Sequence, residues 1–274
     1  MLEIERASKT FRVGADTVTA VRDVSLSLAK GDFLTIIGSN GAGKSTLLNL
    51  ISGVVPLTSG RILLEGDDVT NEPAYRRARR VSWILQNPLA GTAPSMSVLE
   101  NLAFASSRGT RSLRPALSRA KRRDLLARLE GLGVGLERRS ACRVALLSGG
   151  ERQALAVLMA TLVRPRVLLL DEHTAALDPR NAELITRVTC DFVRSLELTT
   201  LMVTHNMAQA LEVGNRLVMM HRGEVLHELA DEEKRRATVP ELVRFFAHRE
   251  VADDRLLLEA EDEERACPAP TASD

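Results

Sequence analysis

Apolar residues along this chain recur with two periods. Short unbroken runs, FLTIIG from Phe33, VSWILQ from Val81, VLLLD from Val167 and TLMVTH from Thr200, are bounded by Gly, Pro or polar turns. Runs of this length rich in Val, Ile and Leu predict strands buried on both faces. LEIERASKTF alternates and predicts an edge strand. TAVRDVSLSLAKGD predicts a second strand and turn, GRILLEGDDV a returning strand, and RLVMMHRGEVLHE a terminal hairpin. Between them the period shifts to that of helices: STLLNLISG, SVLENLAFASSRG, Leu117 to Leu132, the segment after LSGG to about Val163, NAELITRVTCDFVRSLE and AQALEVG. Ser97 and Glu100 stand at capping-box spacing before the second of these. Strands alternating with helices predict an α/β fold on a mostly parallel sheet. The helical middle, roughly 88–160, reads as an insertion into that body. Residues 248–274 read as an acidic, flexible tail in which RLLLEAEDEE could form a short helix.

Composition adjusts this picture in a few places. Of 274 residues, 45% are hydrophobic but only 3% aromatic, so the core must come from Leu, Val, Ile, Ala and Met. The formal net charge of +1 gives no global reason to expect nucleic acid. Arg76, Arg77, Arg79 and Arg80 cluster, as do Arg119, Lys121, Arg122 and Arg123, and such runs read first as solvated faces. Cys142, Cys190 and Cys267 are widely spaced and odd in number, which fits reduced thiols. Met1 leads directly into the charged segment LEIERASK, without a signal-peptide pattern. No apolar run approaches the ~20 residues of a membrane helix, so any membrane role is expected to come through another chain.

Candidate chemistry begins at Gly38-Ser39-Asn40-Gly41-Ala42-Gly43-Lys44-Ser45-Thr46, a GxxxxGK[ST] loop between a predicted strand and a predicted helix. Glycines let consecutive N–H groups turn toward phosphate oxygens, and the helix start adds its positive end. Lys44 is expected to bridge the β- and γ-phosphates of ATP, and the Ser45 hydroxyl to ligate Mg²⁺. Asp171 and Glu172 end the VLLLD strand. Beside a phosphate loop, the first acid is expected on the metal side and the second as general base for the attacking water. His205 ends the predicted strand TLMVTH, in reach of the γ-phosphate and of Glu172. Leu147-Ser148-Gly149-Gly150-Glu151-Arg152-Gln153 is a second glycine-based helix start able to meet an anion. One monomer does not need two such sites for one nucleotide, whereas a dimer does.

GSNGAGKST, Gln86, LSGGERQ, VLLLDE, AALD ending at Asp178, and His205 follow one another in an order that resembles the ATP-binding-cassette ATPases over about residues 1–247. The resemblance implies a P-loop NTPase with a RecA-like, mostly parallel sheet core, an antiparallel β subdomain and an inserted α-helical subdomain. It implies that Phe11 stacks on adenine and that Gln86 contacts Mg²⁺ and the attacking water. Ser148, Gly149 and Gly150 would meet the γ-phosphate held by the opposite subunit of a homodimer, Asp178 would lie in the loop crossing that interface, and His205 would be the switch histidine. His173 stands where most relatives have proline, so it reads as packing or hydrogen-bonding in its turn rather than as catalytic.

DEHTAALDP, QNP-x-x-GTAPSMSVLENLAFASSRG and LSGGERQALAVLMATL together resemble the ATPase component of a bacterial importer group. WILQNP departs from that group's more usual segment, which touches the permease contact and not catalysis. The resemblance implies a separate transmembrane permease, an extracytoplasmic substrate-binding protein, a place on the cytoplasmic face of the cell membrane and an amino-acid substrate of tryptophan type. An exporter subunit, or a soluble cassette acting on nucleic acid, are the alternatives. The single cassette without sustained heptads or zinc cysteines argues against the latter.

Overall fold

The computed structural model describes residues 1–107 and 117–247. The expected acidic tail, its RLLLEAEDEE segment and Cys267 lie outside the described residues. In chain order the elements are β1 (Leu2–Val13), β2 (Asp16–Leu28), β3 (Phe33–Gly38), α1 (Lys44–Ser52), β4 (Ser59–Leu64), β5 (Asp67–Asp68), α2 (Ala74–Arg77), β6 (Val81–Ile84), α3 (Val98–Ser106), α4 (Arg119–Glu130), α5 (Gly149–Thr161), β7 (Val167–Asp171), α6 (Pro179–Ser195), β8 (Thr199–Val203), α7 (Met207–Glu212), β9 (Arg216–His221), β10 (Glu224–Ala230) and α8 (Asp231–Arg236).

Two sheets form. The antiparallel one has the order β2-β1-β4-β5, and the other runs β10-β9-β3-β8-β7-β6. In the second sheet every pairing from β9 through β6 is parallel, and only β10 is antiparallel to its neighbour. Period-two alternation assigns the side chains of the parallel strands. Val167 and Leu169 join a core with α1 and the antiparallel sheet, while Leu168 and Leu170 join a second core with α3, α4, α5 and α6. All four are fully buried. Both faces of the sheet are covered, which is why the strand reads as an unbroken apolar run.

The second core is continuous from the sheet into the helical region. Leu168, Leu170 and Met202 share it with Val98, Leu102, Leu125, Leu129 and Val144. Deleting one such side chain, for example Leu102→Ala, costs roughly 2–5 kcal/mol. Helix α3 starts at the expected capping box, with Ser97 Oγ accepting from the Glu100 N–H and the Glu100 carboxylate accepting from the Ser97 N–H. The irregular segment ahead of it is held by buried Asn101, whose side chain exchanges hydrogen bonds with Ala93 at 2.7 and 3.1 Å.

Several elements differ from expectation. β6 ends at Ile84 and β8 at Val203, so Gln86 and His205 lie two residues beyond their strands. The ladder ends there because the intervening strand β7 ends at Asp171, opposite Val203. Helix α8 is not foreseen by apolar period, being wholly charged, but DEEKRR puts acids in its first turn and bases in its last, matching the helix dipole. Residues 239–247 are also helical. The first arginine cluster is not one solvated face. Arg77 is 1% exposed and donates to the carbonyls of Leu50, Ile51, Val69, Thr70 and Glu72, and so serves the free carbonyls at the end of α1. Arg80 pairs with Asp67 at 2.9 Å and Glu72 at 2.7 Å. Burial selects arginine here because the two ends of its fork, Nη1 and Nη2, reach five carbonyls at once, while Nε is buried without a partner among the described residues.

Candidate active site

The loop between β3 and α1 is shaped by two glycines with no room for a side chain. A Cβ on Gly38 would sit 2.3 Å from the Met220 carbonyl oxygen, and one on Gly43 2.2 Å from that of Ala20. Gly43 also has φ +94°, in the left-handed region. It serves as the N-cap of α1 with no side-chain hydrogen bond, and no acid stands in the first turn. The first N–H groups of α1 are therefore left facing outward, a site for an anion. Lys44 Nζ donates to the carbonyls of Gly38 at 2.7 Å and Ser39 at 2.9 Å, arched over its own loop. Burial pulls its ammonium below the ordinary range, against the carboxylates of Glu172 and Asp171.

The acids after β7 diverge. Asp171 Oδ1 accepts from Ser45 Oγ at 3.2 Å. Burial pushes the Asp171 carboxyl above its ordinary range, and the charge of Glu172 adds to this. A desolvated carboxylate beside a hydroxyl is a pair of hard oxygen donors suited to a cation. Mg²⁺ is commonly held by one or two such groups with phosphate and water rather than by a dedicated cage. One carboxylate, Asp171, with the Ser45 hydroxyl beside it is a donor set of that kind.

Glu172 turns the other way. Its φ is +44°, a conformation a non-glycine residue adopts at a cost of about 1–2 kcal/mol. Its N–H donates to the Val203 carbonyl at 3.0 Å, which ties the turn to the end of β8. The carboxylate Oε2 lies 3.4 Å from Gln86 Nε2 and 3.4 Å from His205 Nδ1. Glu172 is 20% exposed and His205 61%, so the histidine forms the open side of the trio. Lys44, Ser45, Asp171, Glu172, Gln86 and His205 thus gather at the C-terminal ends of β3, β6, β7 and β8. This is where an open parallel sheet presents its ligand crevice.

Phe11 lies near the end of the β1–β2 hairpin, opposite Val18 and 36% exposed, with Lys9 Nζ 5.1 Å from its ring centroid. Val18 is two residues along β2 from Ala20, whose carbonyl abuts Gly43. A part-exposed ring beside the phosphate loop is available to stack.

Ser148, Gly149, Gly150 and Asp178 form a second cluster. Ser148 caps α5 in a capping box with Glu151. A Cβ on Gly149 would meet Leu177 at 3.3 Å, and one on Gly150 would meet Asn181 at 3.0 Å. Asp178 caps α6, accepting from Asn181 N at 3.1 Å and Asn181 Nδ2 at 2.6 Å. Sequence reasoning missed the support under this cluster: Arg139 donates to both oxygens of Glu151 at 2.7 Å. An arginine twelve residues away in an irregular segment carries no periodic signal. His173 is buried, and its Nε2 lies 3.3 Å from Thr189 Oγ1 on α6 rather than within its own turn. Burial pushes its ring down to about 4. The Thr189 hydroxyl donates to Ile185 O at 2.8 Å, so Nε2 is the protonated nitrogen.

The chain is similar to known proteins in sequence and fold. Residues 21–175 match the ABC transporter family. The tyrosine transport ATP-binding protein of Clostridioides difficile is 43% identical over 249 residues, covering 90% of this chain and 99% of that protein. The methionine import ATP-binding protein of Geobacillus kaustophilus is 35% identical over 232 residues, of which this chain spans only 65% of the length. Among solved structures, a dimeric ATP-binding cassette in a post-hydrolysis state bound to ADP and Pi matches with a TM-score of 0.73 at 26% identity, covering 84% of this chain and 98% of that one. An ADP-bound cassette of an ABC transporter matches at 0.75 and 27%, covering 90% and 98%. With the fold, the phosphate loop and these relatives in agreement, the chain belongs to the ABC transporter family, as an ATP-binding, ATP-hydrolysing cassette.

Proposed function

We propose that the chain is the ATPase subunit of an importer, working as a homodimer under a separate transmembrane permease. The observation that carries the catalytic reading is the convergence of Gln86, Glu172 and His205 beside Lys44, Ser45 and Asp171. The N–H groups of Ser39 to Thr46 and the Lys44 ammonium bind the phosphates of ATP, and Phe11 stacks on its adenine. Ser45 and Asp171 would hold Mg²⁺, which when bound would supply neutralisation of the negative charge of the phosphates. Glu172 takes the proton of the attacking water. Gln86 orients that water, and His205 holds Glu172 and the γ-phosphate in line. The open side of the site is completed by Ser148, Gly149 and Gly150 of a second copy, with Asp178 in the contact. Residues 1–247 act as the cassette, with 88–160 as its helical part.

Coupling to a permease is supported by a groove of about 130 Å³ lined by Trp83, Leu85, Asn87, Pro88, Phe104 and Met159. Leu85 and Asn87 flank Gln86, and Phe104 is 76% exposed. A partner helix seated there would sense whether Gln86 is engaged. Among the described residues no helix is long and apolar enough to cross a membrane, so attachment to the cytoplasmic face through a permease fits. The import named for several relatives favours that direction, and the tyrosine transport relative favours an aromatic amino acid; an extracytoplasmic binding protein that delivers it is part of this proposal.

Glu172→Gln tests the catalytic reading: steady ATP hydrolysis should fall at least about 100-fold while ATP binding persists and a dimer accumulates. Unchanged turnover would remove Glu172 as the base. Uptake of labelled tyrosine into vesicles carrying the chain with its permease tests import, and labelled efflux without uptake would reverse the direction.

A further inference from the structure

Glu172 and His205 sit on different loops, which the Glu172 N–H to Val203 carbonyl bond and the 3.4 Å contact of the two side chains join at one point. Gln209, on α7, joins both. Its Nε2 donates to Thr174 Oγ1 at 3.3 Å and to Thr186 Oγ1 at 2.9 Å, and its Oε1 accepts from Thr204 Oγ1 at 2.9 Å. Thr174 follows Glu172 by two residues, Thr204 directly precedes His205, and Thr186 lies on α6. One amide therefore spans three segments.

The directions of these bonds follow from the other partners. Thr186 spends its hydroxyl proton on Ala182 O at 2.8 Å, so its oxygen is free to accept. Thr204 accepts from the Asn206 N–H at 3.1 Å, so its proton is free to donate. Thr174 is 9% and Thr204 5% exposed, so water competes poorly for these bonds. Gln209 is itself set by the N-cap of its helix, where Asn206 Oδ1 accepts from its N–H at 3.0 Å.

We propose that Gln209 is a positioning residue for ATP hydrolysis: its amide clamps the Glu172 loop to the His205 loop and keeps the two side chains 3.4 Å apart. The inference rests on the catalytic reading of Glu172 and His205 given above. Gln209 touches neither of them nor the nucleotide loop, so its loss acts on the geometry of the chemical step and not on ATP binding.

The test measures MgATP hydrolysis, ATP affinity and thermal unfolding of the full chain carrying Gln209→Met or Gln209→Glu. In Gln209→Met, kcat is expected to fall about 10-fold with KM and ATP affinity within about twofold, and the lost hydrogen bonds should lower Tm by only a few degrees. Gln209→Glu should restore most of kcat, because a carboxylate can accept from all three threonine hydroxyls once Thr186 rotates. Unchanged kcat in Gln209→Met overturns the proposal. So does a fall in kcat that comes with an equal loss of ATP affinity, or one that Gln209→Glu does not repair. If Gln209→Met fails to fold, Thr204→Val removes one arm of the clamp and must reproduce the kcat effect. Glu172→Gln and His205→Ala run alongside. If these keep turnover, the catalytic reading fails. If they lose it while Gln209→Met does not, only the clamp fails.

Discussion

The two glycine-bearing helix starts, at α1 and α5, look alike in sequence and differ in how their N–H groups are used. At α1 the cap is Gly43, which has no side chain, so the whole first turn stays open to an anion. At α5 the cap is Ser148, and the capping box takes the Glu151 N–H and the Ser148 N–H out of play. Gly149 and Gly150 keep free N–H groups, and the Ser148 hydroxyl keeps its proton because its oxygen does the accepting. The first site is built to enclose several phosphate oxygens. The second presents a narrow edge, suited to one exposed phosphate from outside. Their backing differs too: Gly43 is pressed against the Ala20 backbone, whereas Gly150 rests on Asn181, a side chain tied to Asp178.

The contrast breaks most plainly at Lys44. Lys44→Ala removes the ammonium that arches over the loop, and ATP affinity should fall about 100-fold in equilibrium titration. Retained affinity would mean that the open helix start alone holds the phosphates. Gly150→Ala addresses the second site. The added methyl displaces Asn181, so hydrolysis and ATP-driven dimer formation should drop about 10-fold while ATP binding by the monomer persists. Equal loss of monomer binding would erase the distinction between the sites. Ser148→Ala removes the cap of α5 as well as the hydroxyl, and should lower stability by about 1 kcal/mol in denaturant unfolding. An unshifted midpoint would show that Glu151 and Arg139 suffice to hold that turn.

A further effect appears only at acid pH and concerns the packing of His173 against α6. His173 is held at about 4, against an ordinary value of 6.5. Between those values the unfolded chain takes up a proton that the buried ring refuses. Its contribution is complete above pH 6.5 and is lost as pH falls toward 4, on the order of 3 kcal/mol in all. His173→Gln should flatten the fall of stability across that window in unfolding measurements at pH 6.5 and pH 4.5, with ATP hydrolysis at pH 7.5 largely kept. A slope equal to that of the parent chain would place the acid sensitivity elsewhere.

The strand runs and most helices are legible in the amino-acid pattern, because burial on both faces of a sheet demands unbroken apolar residues and burial on one face of a helix demands the 3.6 period. The elements that escape have neither signal. Helix α8 is wholly charged, and the end of β8 depends on where β7 stops. Arg77 reads as one more surface charge, because nothing in the pattern reveals that carbonyls of the neighbouring turn and of the distant end of α1 converge on it.

By itself the sequence determined which residue types could carry the chemistry. A GxxxxGK[ST] loop, an acid pair after a strand and a glycine-based helix start each have local requirements that spacing records. Only the tertiary structure decided who touches whom: that Asp171 turns to Ser45 while Glu172 turns to Gln86 and His205, and that His173 faces inward to Thr189. It also decided that Gln209 reaches three threonines. Those contacts join residues up to 126 positions apart. Their geometry is set by strand register and by what is buried, and neither leaves a pattern along the chain.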